Sequence, residues 1–595
     1  MDQKKEKKQN KKIIRKIIRY IGSYNYILAI SLFLGLISTI INVYIPRLLA
    51  KIINAFSDGV IEVMNGQDIN INYSYIVKIV IIMLIMCIFG NLIQYFQNIL
   101  MANISIKLTY KLREEMDKKI SKLPISYFDK VSNGDVLSKL TNDVDTMTSM
   151  LTYVVTSTFT SIITIIGIIV IMYYVNWICA TVVLTVVITS FFVMKLVVKR
   201  TQNFFKSQQN LIGEVNGYID EIYSQHNIVR AFNNEKDSIK TFNDINEKLY
   251  LSSWKASFFS ALLTPIMFFL GHINYMIVIS LACVLTVKGM IRIGDISSFI
   301  SYVKSLNQPV QQLANITSVF QSIVAAAERI FDFLEEPEED EGKTEINLAN
   351  NIKGDIRFEN VSFGYKEDER VIKNISFSVK AGQKAAFVGA TGSGKTTVIK
   401  LLMKFYDIND GKIYIDGIDI NKISKHDLRD MFSMVLQDSW MFSGSIFDNI
   451  RYGNLEATDE KVKLAAKSTY VDHFIKTLPQ GYETILNDEA TNISQGEKQL
   501  ITIARAMVTN PQVLILDEAT SSVDIKTERY IQKAMDNLME GRTSFIIAHR
   551  LSTIRNADII FFMSGGEILE SGSHDELMKK NGYYANMYNS QYQTR

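Results

Sequence analysis

The residues whose types and spacing most plainly define a chemistry lie in GATGSGKT, Gly389 to Thr396. The stretch fits G-x-x-x-x-G-K-[ST] at every fixed position. Its glycines let backbone N–H groups curl around phosphate oxygens at the start of a following helix. Lys395, assigned both a binding and a catalytic part, supplies a cation for the β- and γ-phosphates, and the Thr396 hydroxyl can ligate Mg2+. Gly389, Thr391, Gly392, Ser393, Gly394 and Thr397 complete the expected nucleotide contacts. A second stretch, VLILDEAT, reads as a buried strand, Val513 to Leu516, that ends at Asp517. A carboxylate there can hold Mg2+ through water, and Glu518 beside it can polarise an attacking water as general base. In TSFIIAHR another apolar strand ends at His549, placed to hydrogen-bond the γ-phosphate and the water. The chemistry these residues predict is binding and hydrolysis of a nucleotide.

The elements that must position them follow from the flanking pattern. DIRFENVSFGY and NISFSVKAGQKAAFVG carry β-branched and aromatic runs with a turn at Ala381-Gly382, and a helix is expected from Thr396. Strand, glycine loop and helix in that order predict an α/β domain over 354–595. Ahead of it, FDFLEEPEEDEGKTEINLANN is acidic and contains Pro and Gly, which reads as a linker over 326–353.

The first half of the chain has a different composition. A membrane-crossing helix needs about 20 mostly apolar residues. Six stretches within 25–325 qualify: Tyr26–Ala50, Tyr75–Leu100, Leu151–Val175, Trp177–Val198, Phe258–Thr286 and Ile296–Gln321. The last is the least apolar, with Lys304, Asn307, Gln308, Gln311, Gln312 and Asn315 along it and Pro309 expected to kink it; such a stripe predicts a water-filled cavity or hydrogen bonds between helices. His272 and Asn274 in the fifth stretch read as structural. Residues 1–24 form a basic amphipathic helix: Ile13, Ile14, Ile17 and Ile18 recur at helical spacing among Lys11, Lys12, Arg15, Lys16 and Arg19, suited to an anionic leaflet surface. Lys and Arg crowd the N-terminal arm and the segments Lys107–Lys139 and Lys195–Lys255. They are missing from Ser57–Asn72, so both termini are expected on the cytoplasmic side, with Lys288 and Arg292 as exceptions. The two basic segments read as long helices with short turns at their tips, the first helical on both sides of Pro124 and Gly134.

Composition excludes some functions. A formal net charge of only +3 over 595 residues gives no bulk attraction to nucleic acid. The three cysteines, Cys87, Cys179 and Cys283, sit in apolar runs, which argues against a disulfide framework or a zinc site. Ile-, Asn- and Lys-rich usage points to an AT-rich bacterium and hence to a bacterial plasma membrane.

In this order the motifs resemble those of ATP-binding cassette exporters with membrane and nucleotide-binding domains fused. The resemblance covers almost the whole chain. It implies a multidomain fold, a six-helix α transmembrane domain followed by an α/β P-loop ATPase domain, with ATP and Mg2+ as cofactors. It assigns Tyr365 in VSFGY to stacking on adenine. Gln437 in SMVLQD becomes the glutamine that reaches Mg2+ and senses the membrane domain, Asp524 in SSVD the D-loop aspartate, and His549 the switch histidine. It also implies a dimer, because each ATP is held between the phosphate loop of one cassette and the signature of the other.

That signature is where this chain departs from the family. Where the family has Leu-Ser-Gly-Gly-Gln, TNISQGEKQL gives Ile493, Ser494, Gln495, Gly496 and Glu497. Ser494 and Glu497 have capping-box spacing, so a helix cap accounts for them. Gln495 adds bulk where a glycine would let backbone approach the facing γ-phosphate. With the other motifs intact, the pattern resembles the catalytic chain of a heterodimer, a homodimer being the alternative. The expected function is ATP-driven export of an amphipathic or hydrophobic compound across a lipid bilayer; the alternative is an ATP-gated channel or non-pumping regulator on the same fold.

Overall fold

Long apolar helices and a compact α/β region divide the chain much as its composition does. The computed structural model describes residues 2–64, 71–342, 352–366, 369–437, 439–487, 490–518, 523–548 and 554–592. They fall into two units, Met1–Ser121 with Ser132–Glu336, and Lys122–Val131 with Pro337–Arg595.

In the first unit the six expected spans lie in the helices Asn25–Met64, Tyr73–Ile120, Val144–Val175, Trp177–Ser224, Leu263–Val287 and Ile293–Glu335. A helix satisfies its own backbone polar groups, which is what a lipid environment demands. Among the described residues, Asn25–Ile61, Tyr73–Ile120, Asn133–Val175 and Phe268–Val287 are long and apolar enough to cross a membrane, and Trp177–Thr189 is a shorter apolar stretch. The sixth helix does not qualify, because amides and Lys304 interrupt its apolar face. The unit's interior includes Val43, Ile168, Met172, Cys179, Phe299 and Tyr302. Inside it, Arg47 pairs with Asp295 and Arg329 with Asp143.

Several boundaries differ from the sequence expectation. The first basic segment breaks at 129–132 rather than at Gly134. Ser132 accepts a hydrogen bond from Asp135 N at 3.2 Å and starts a helix, Asn133–Ser138, that includes Gly134. Leu262 interrupts the expected fifth span, separating Glu235–Ala261 from Leu263–Val287. The sixth helix runs to Glu335, with Ala326, Ala327, Ile330 and Phe333 buried, so ten residues of the expected linker are helical; residues 343–351 lie outside the described residues. The amphipathic helix forms over Asp2–Gly22, but Ile13 and Ile17 are buried against protein and only Ile18 of that face is well exposed. Lys16 pairs with Glu335, and Tyr20 donates to Glu115 at 2.5 Å, which anchors the helix to its own unit.

Among the described residues the second unit contains two larger sheets and a two-stranded pair, Gly444–Ser445 with Ile485–Leu486. A four-stranded antiparallel sheet has the order Ile372–Val379, Ile356–Phe363, Asp410–Ile415, Ile418–Asp419. A six-stranded sheet runs Glu567–Gly572, Ile559–Ser564, Lys384–Val388, Thr543–Ala548, Val513–Glu518, Phe432–Val435, parallel except for its Glu567–Gly572 edge. Val513 to Leu516 are all buried, as expected of a parallel strand covered on both faces. The register pairs Ile547 with Asp517 and Ala548 with Glu518, so neighbouring strands deliver their carboxyl ends to one edge of the sheet. In open α/β sheets that edge is where ligands bind.

Candidate nucleotide site

The phosphate loop leaves the carboxyl end of Lys384–Val388 and enters the helix Lys395–Leu402. Gly394, the residue before the helix, has φ +102° and its missing Cβ would meet the Ile372 side chain at 2.6 Å, so both backbone and packing require glycine. Lys395 is 7 % exposed, and its ammonium donates to the carbonyls of Gly389 and Ala390 at 2.9 Å each. Burial pulls its proton affinity below the ordinary lysine value, while the Asp517 carboxylate opposes the shift. A desolvated cation held by carbonyls alone has much to gain from a polyphosphate. The Ser393 hydroxyl is buried in the same loop and, among the described residues, has no partner.

A cavity of about 550 Å³ opens at this loop. Of the residues expected from sequence, Tyr365, Thr391, Gly392, Gly394, Lys395, Thr396, Thr397, Gln437 and Asp517 line it. Sequence reasoning missed its apolar walls, Val371 and Ile547, which no motif marks. Thr396, Gln437 and Asp517 bring a hydroxyl, an amide and a carboxylate to the same cavity. These hard oxygen donors suit Mg2+ held by few protein ligands together with phosphates. No group of three or more His, Cys, Asp and Glu capable of holding a metal occurs among the described residues.

Tyr365 is 43 % exposed at the cavity rim, and its hydroxyl lies 3.2 Å from that of Thr397. Its ring meets Tyr406 edge-on, with centroids 5.1 Å apart. Tyr406 and Lys400 both reach Asp129, at 2.5 and 2.8 Å. Asp129 follows the short helix Ile125–Phe128, in the segment that joins this unit from the first basic stretch. The bonds from Lys400 and Tyr406 hold the Asp129 carboxyl below its ordinary range, and burial together with Asp129 pushes the Tyr406 phenol up. Sequence reasoning did not find this cluster.

Other expected residues lie elsewhere. Glu518 ends the strand that carries Asp517, paired in register with Ala548; His549, next after Ala548 in the sequence, lies outside the described residues. Asp524 caps the helix Ile525–Met539, accepting from Lys526 N and Thr527 N at 3.0 Å each, and does not line the cavity. Nor do Ser494, Gln495 and Gly496. Ser494 and Glu497 form the expected capping box: Glu497 accepts from Ser494 N at 2.7 Å, and Ser494 accepts from Glu497 N at 3.3 Å. The Glu497 carboxylate is thus turned back onto its own helix start. Gln495 is exposed. Gly496 is buried, and a Cβ there would meet Thr527 at 2.5 Å and Val523 at 2.9 Å.

Comparison with known proteins agrees with this geometry. The family model of the ABC transporter transmembrane region matches residues 28–310, and that of the ABC transporter domain matches residues 372–521. An uncharacterized ABC transporter ATP-binding protein of Bacillus subtilis, YfiC, is 38 % identical over 96 % of this chain and 93 % of its own length. A fatty acid ABC transporter ATP-binding/permease protein of Mycobacterium bovis is 40 % identical over 82 % of this chain and 77 % of its own. An ATP-dependent lipid A-core flippase of Syntrophus aciditrophicus is 35 % identical over 84 % and 83 %. The solved structure of a bacterial Atm1-family ABC exporter with ATP bound superposes with a TM-score of 0.74 at 25 % identity, covering 96 % of this chain and 98 % of that one. Exporters of this fold work as dimers in a lipid bilayer. The chain belongs to the ABC transporters: it is an integral membrane exporter half whose fused cassette binds ATP and couples its hydrolysis to transport.

Proposed function

We propose that this chain is the hydrolytically competent half of a heterodimeric exporter, and that its own signature stretch closes over a weak site on the partner. The observation that carries the reading is the contrast between two places in one cassette. Around the phosphate loop nine of the expected nucleotide contacts line a single cavity, Gly389 and Ser393 being the loop members outside it, whereas Gln495 presents an exposed side chain at the start of Gln495–Thr509, where backbone would have to approach the facing γ-phosphate. The capping box accounts for Ser494 and Glu497 but not for Gln495.

In this reading Lys395 and the loop N–H groups hold the β- and γ-phosphates, and Tyr365 stacks on the adenine. Thr396, Gln437 and Asp517 would hold Mg2+, which would supply positive charge against the phosphates. Glu518 takes the proton of the attacking water as that oxygen bonds to the γ-phosphorus and ADP departs, and His549 steadies the γ-phosphate. ATP-driven closure of two cassettes turns the membrane cavity from inward- to outward-facing, and hydrolysis resets it.

One feature supports a second chain. The hairpin of Trp177–Ser224 and Glu235–Ala261 leaves Tyr223 82 % and Phe232 80 % exposed at its tip, apolar surface that another chain would cover. Lys and Arg concentrated at one set of helix ends support cytoplasmic termini, and the Ile-, Asn- and Lys-rich usage supports a bacterial plasma membrane. The names of the fatty acid and lipid A-core relatives favour an amphipathic substrate.

The test is to isolate the chain alone and measure its ATPase. A slow rate that rises when a partner with an intact signature is added is the expected result. Robust, cooperative hydrolysis by the homodimer would overturn the asymmetric reading.

A further inference from the structure

Two adjoining cavities open among the first, second, third and sixth span helices. One, about 290 Å³, is lined by Asn42, Thr160, Thr164, Gln308 and Gln312 among others. The other, about 330 Å³, includes Asn98, Thr156 and Ser157. Thr160 and Gln312 line both. Among the described residues no charged side chain lines either. Lys304, on the same helix as Gln312, is not in the lining; its ammonium sits over the Tyr275 ring at 5.6 Å. Arg47 is paired with Asp295.

The hydrogen-bonding character of these walls is specific. Thr156, Thr160 and Thr164 donate their hydroxyl protons to the carbonyls of Thr152, Thr156 and Thr160, at 2.9, 3.0 and 2.7 Å. Each oxygen therefore offers lone pairs, not a proton, to whatever enters. Tyr302 lines the first cavity at 1 % exposure and Ser157 the second at 7 %, and among the described residues neither hydroxyl has a partner. A buried hydroxyl without a partner is costly, and a ligand that supplies one recovers that cost.

We propose that this cleft receives the head group of the exported amphiphile and that the head group is an uncharged polyol. The inference rests on the export reading and narrows its substrate class. A carboxylate or phosphate only accepts hydrogen bonds: the amide N–H groups of Asn42, Asn98 and Gln308 and the Tyr302 and Ser157 hydroxyls can donate to it, but the threonine oxygens would face its lone pairs, and among the described lining residues there is no cation to compensate its desolvation. An ammonium would find acceptors but no carboxylate, which is unfavourable at membrane depth. Sugar or glycerol hydroxyls both donate and accept: they satisfy the threonine oxygens and give acceptors to Tyr302 and Ser157.

The test uses the transporter isolated from its own membrane with whatever second half accompanies it, reconstituted in liposomes. Glucosyl, phosphate and primary-amine head groups on one fluorescent diacyl tail are the probes, and ATP-dependent movement between leaflets is the readout. The glucosyl lipid is expected to move roughly tenfold faster than the other two, as one or two satisfied hydrogen bonds predict. Thr160→Val with Gln312→Leu should remove that preference, whereas Thr185→Val, a hydroxyl on the fourth helix outside both cavities, should keep it. Equal movement of the phosphate or amine lipid overturns the proposal, as does a preference that survives the double substitution. If ATP is hydrolysed and no probe moves, the polyol assignment fails and the export reading stands; if ATP is not hydrolysed at all, the export reading fails as well.

Discussion

The Tyr406 hydroxyl donates to the Asp129 carboxylate at 2.5 Å, joining a residue beside the phosphate-loop helix to one 277 positions earlier in the chain. Asp129 sits at the tip of a loop from the membrane half, and Tyr406 touches the ring expected to stack on adenine. Through Tyr365, which lines the nucleotide cavity and packs on Tyr406, the pair links that cavity to the segment Lys122–Val131. Asp129→Asn keeps the shape and removes the charge. We expect it to lower the stimulation of ATPase by transported substrate by several-fold, as loss of a charge-assisted bond predicts, with basal ATP affinity less affected. Unchanged stimulation in Asp129→Asn and in Tyr406→Phe would show that the contact carries nothing.

Binding and hydrolysis should separate at Lys395 and Glu518. Lys395→Ala removes the buried cation and is expected to weaken ATP binding by roughly 10- to 100-fold, the range of one or two charge-assisted hydrogen bonds. Glu518→Gln should leave ATP binding in place and slow hydrolysis by about 10²- to 10³-fold, the loss expected for a general base. Equilibrium binding of a fluorescent ATP analogue and phosphate release check the two separately. Intact turnover in Glu518→Gln would end its assignment as base.

The signature stretch makes a prediction about gain rather than loss. In the chain isolated alone, Gln495→Gly should raise ATPase by roughly tenfold, the effect of one recovered backbone-to-phosphate bond of about 1.4 kcal/mol. Glu497→Gln should change it by less than about twofold, since glutamine caps Ser494 equally well. If Glu497→Gln alone restores activity, the obstacle is charge and not bulk.

A pH effect is expected at Glu339. Burial acts to raise its carboxyl, but Arg429, bonded at 2.7 and 3.0 Å, and Lys425 at 3.3 Å outweigh burial and hold it below its ordinary value of 4.5. A carboxyl with a lowered folded value stabilises fully above its unfolded value and loses that contribution as pH falls through the folded one. Glu339→Gln should therefore cost about 2 kcal/mol near neutrality. The difference from wild type should shrink as pH falls below the ordinary carboxylate range, measured by thermal unfolding across a pH series. A constant gap at every pH would refute the linkage.

What could be read from sequence was whatever a few neighbouring residues decide. GATGSGKT fixes a loop by local spacing, and Ser494-x-x-Glu497 fixes a cap, so both were legible and both have the expected local geometry. The polar stripe of the sixth span was legible as a stripe. Which members face a cavity was not: Gln308 and Gln312 do, Lys304 does not, and only packing against the third helix decides. Thr156 and Thr160 went unnoticed because threonine in an apolar helix reads as a filler that bonds its own backbone. Asp129 and Tyr406 share no local pattern at all. The amphipathic face of the first helix was correctly periodic, but period does not say whether protein or lipid covers it, and Ile13 and Ile17 pack on protein.

Gly496 is pressed against Val523 and Thr527 with no room for a methyl group, while its neighbour Gln495 projects freely. The two positions therefore differ in what mutation can reach. A change at Gly496 would unseat the helix from the one Asp524 caps and would be lost with the fold, but a change at Gln495 is structurally silent within its own chain. In the asymmetric reading, divergence between paired halves of such a pump thus has a ready entry point: a change at an unconstrained residue would weaken one ATP site and leave every core contact of the cassette intact.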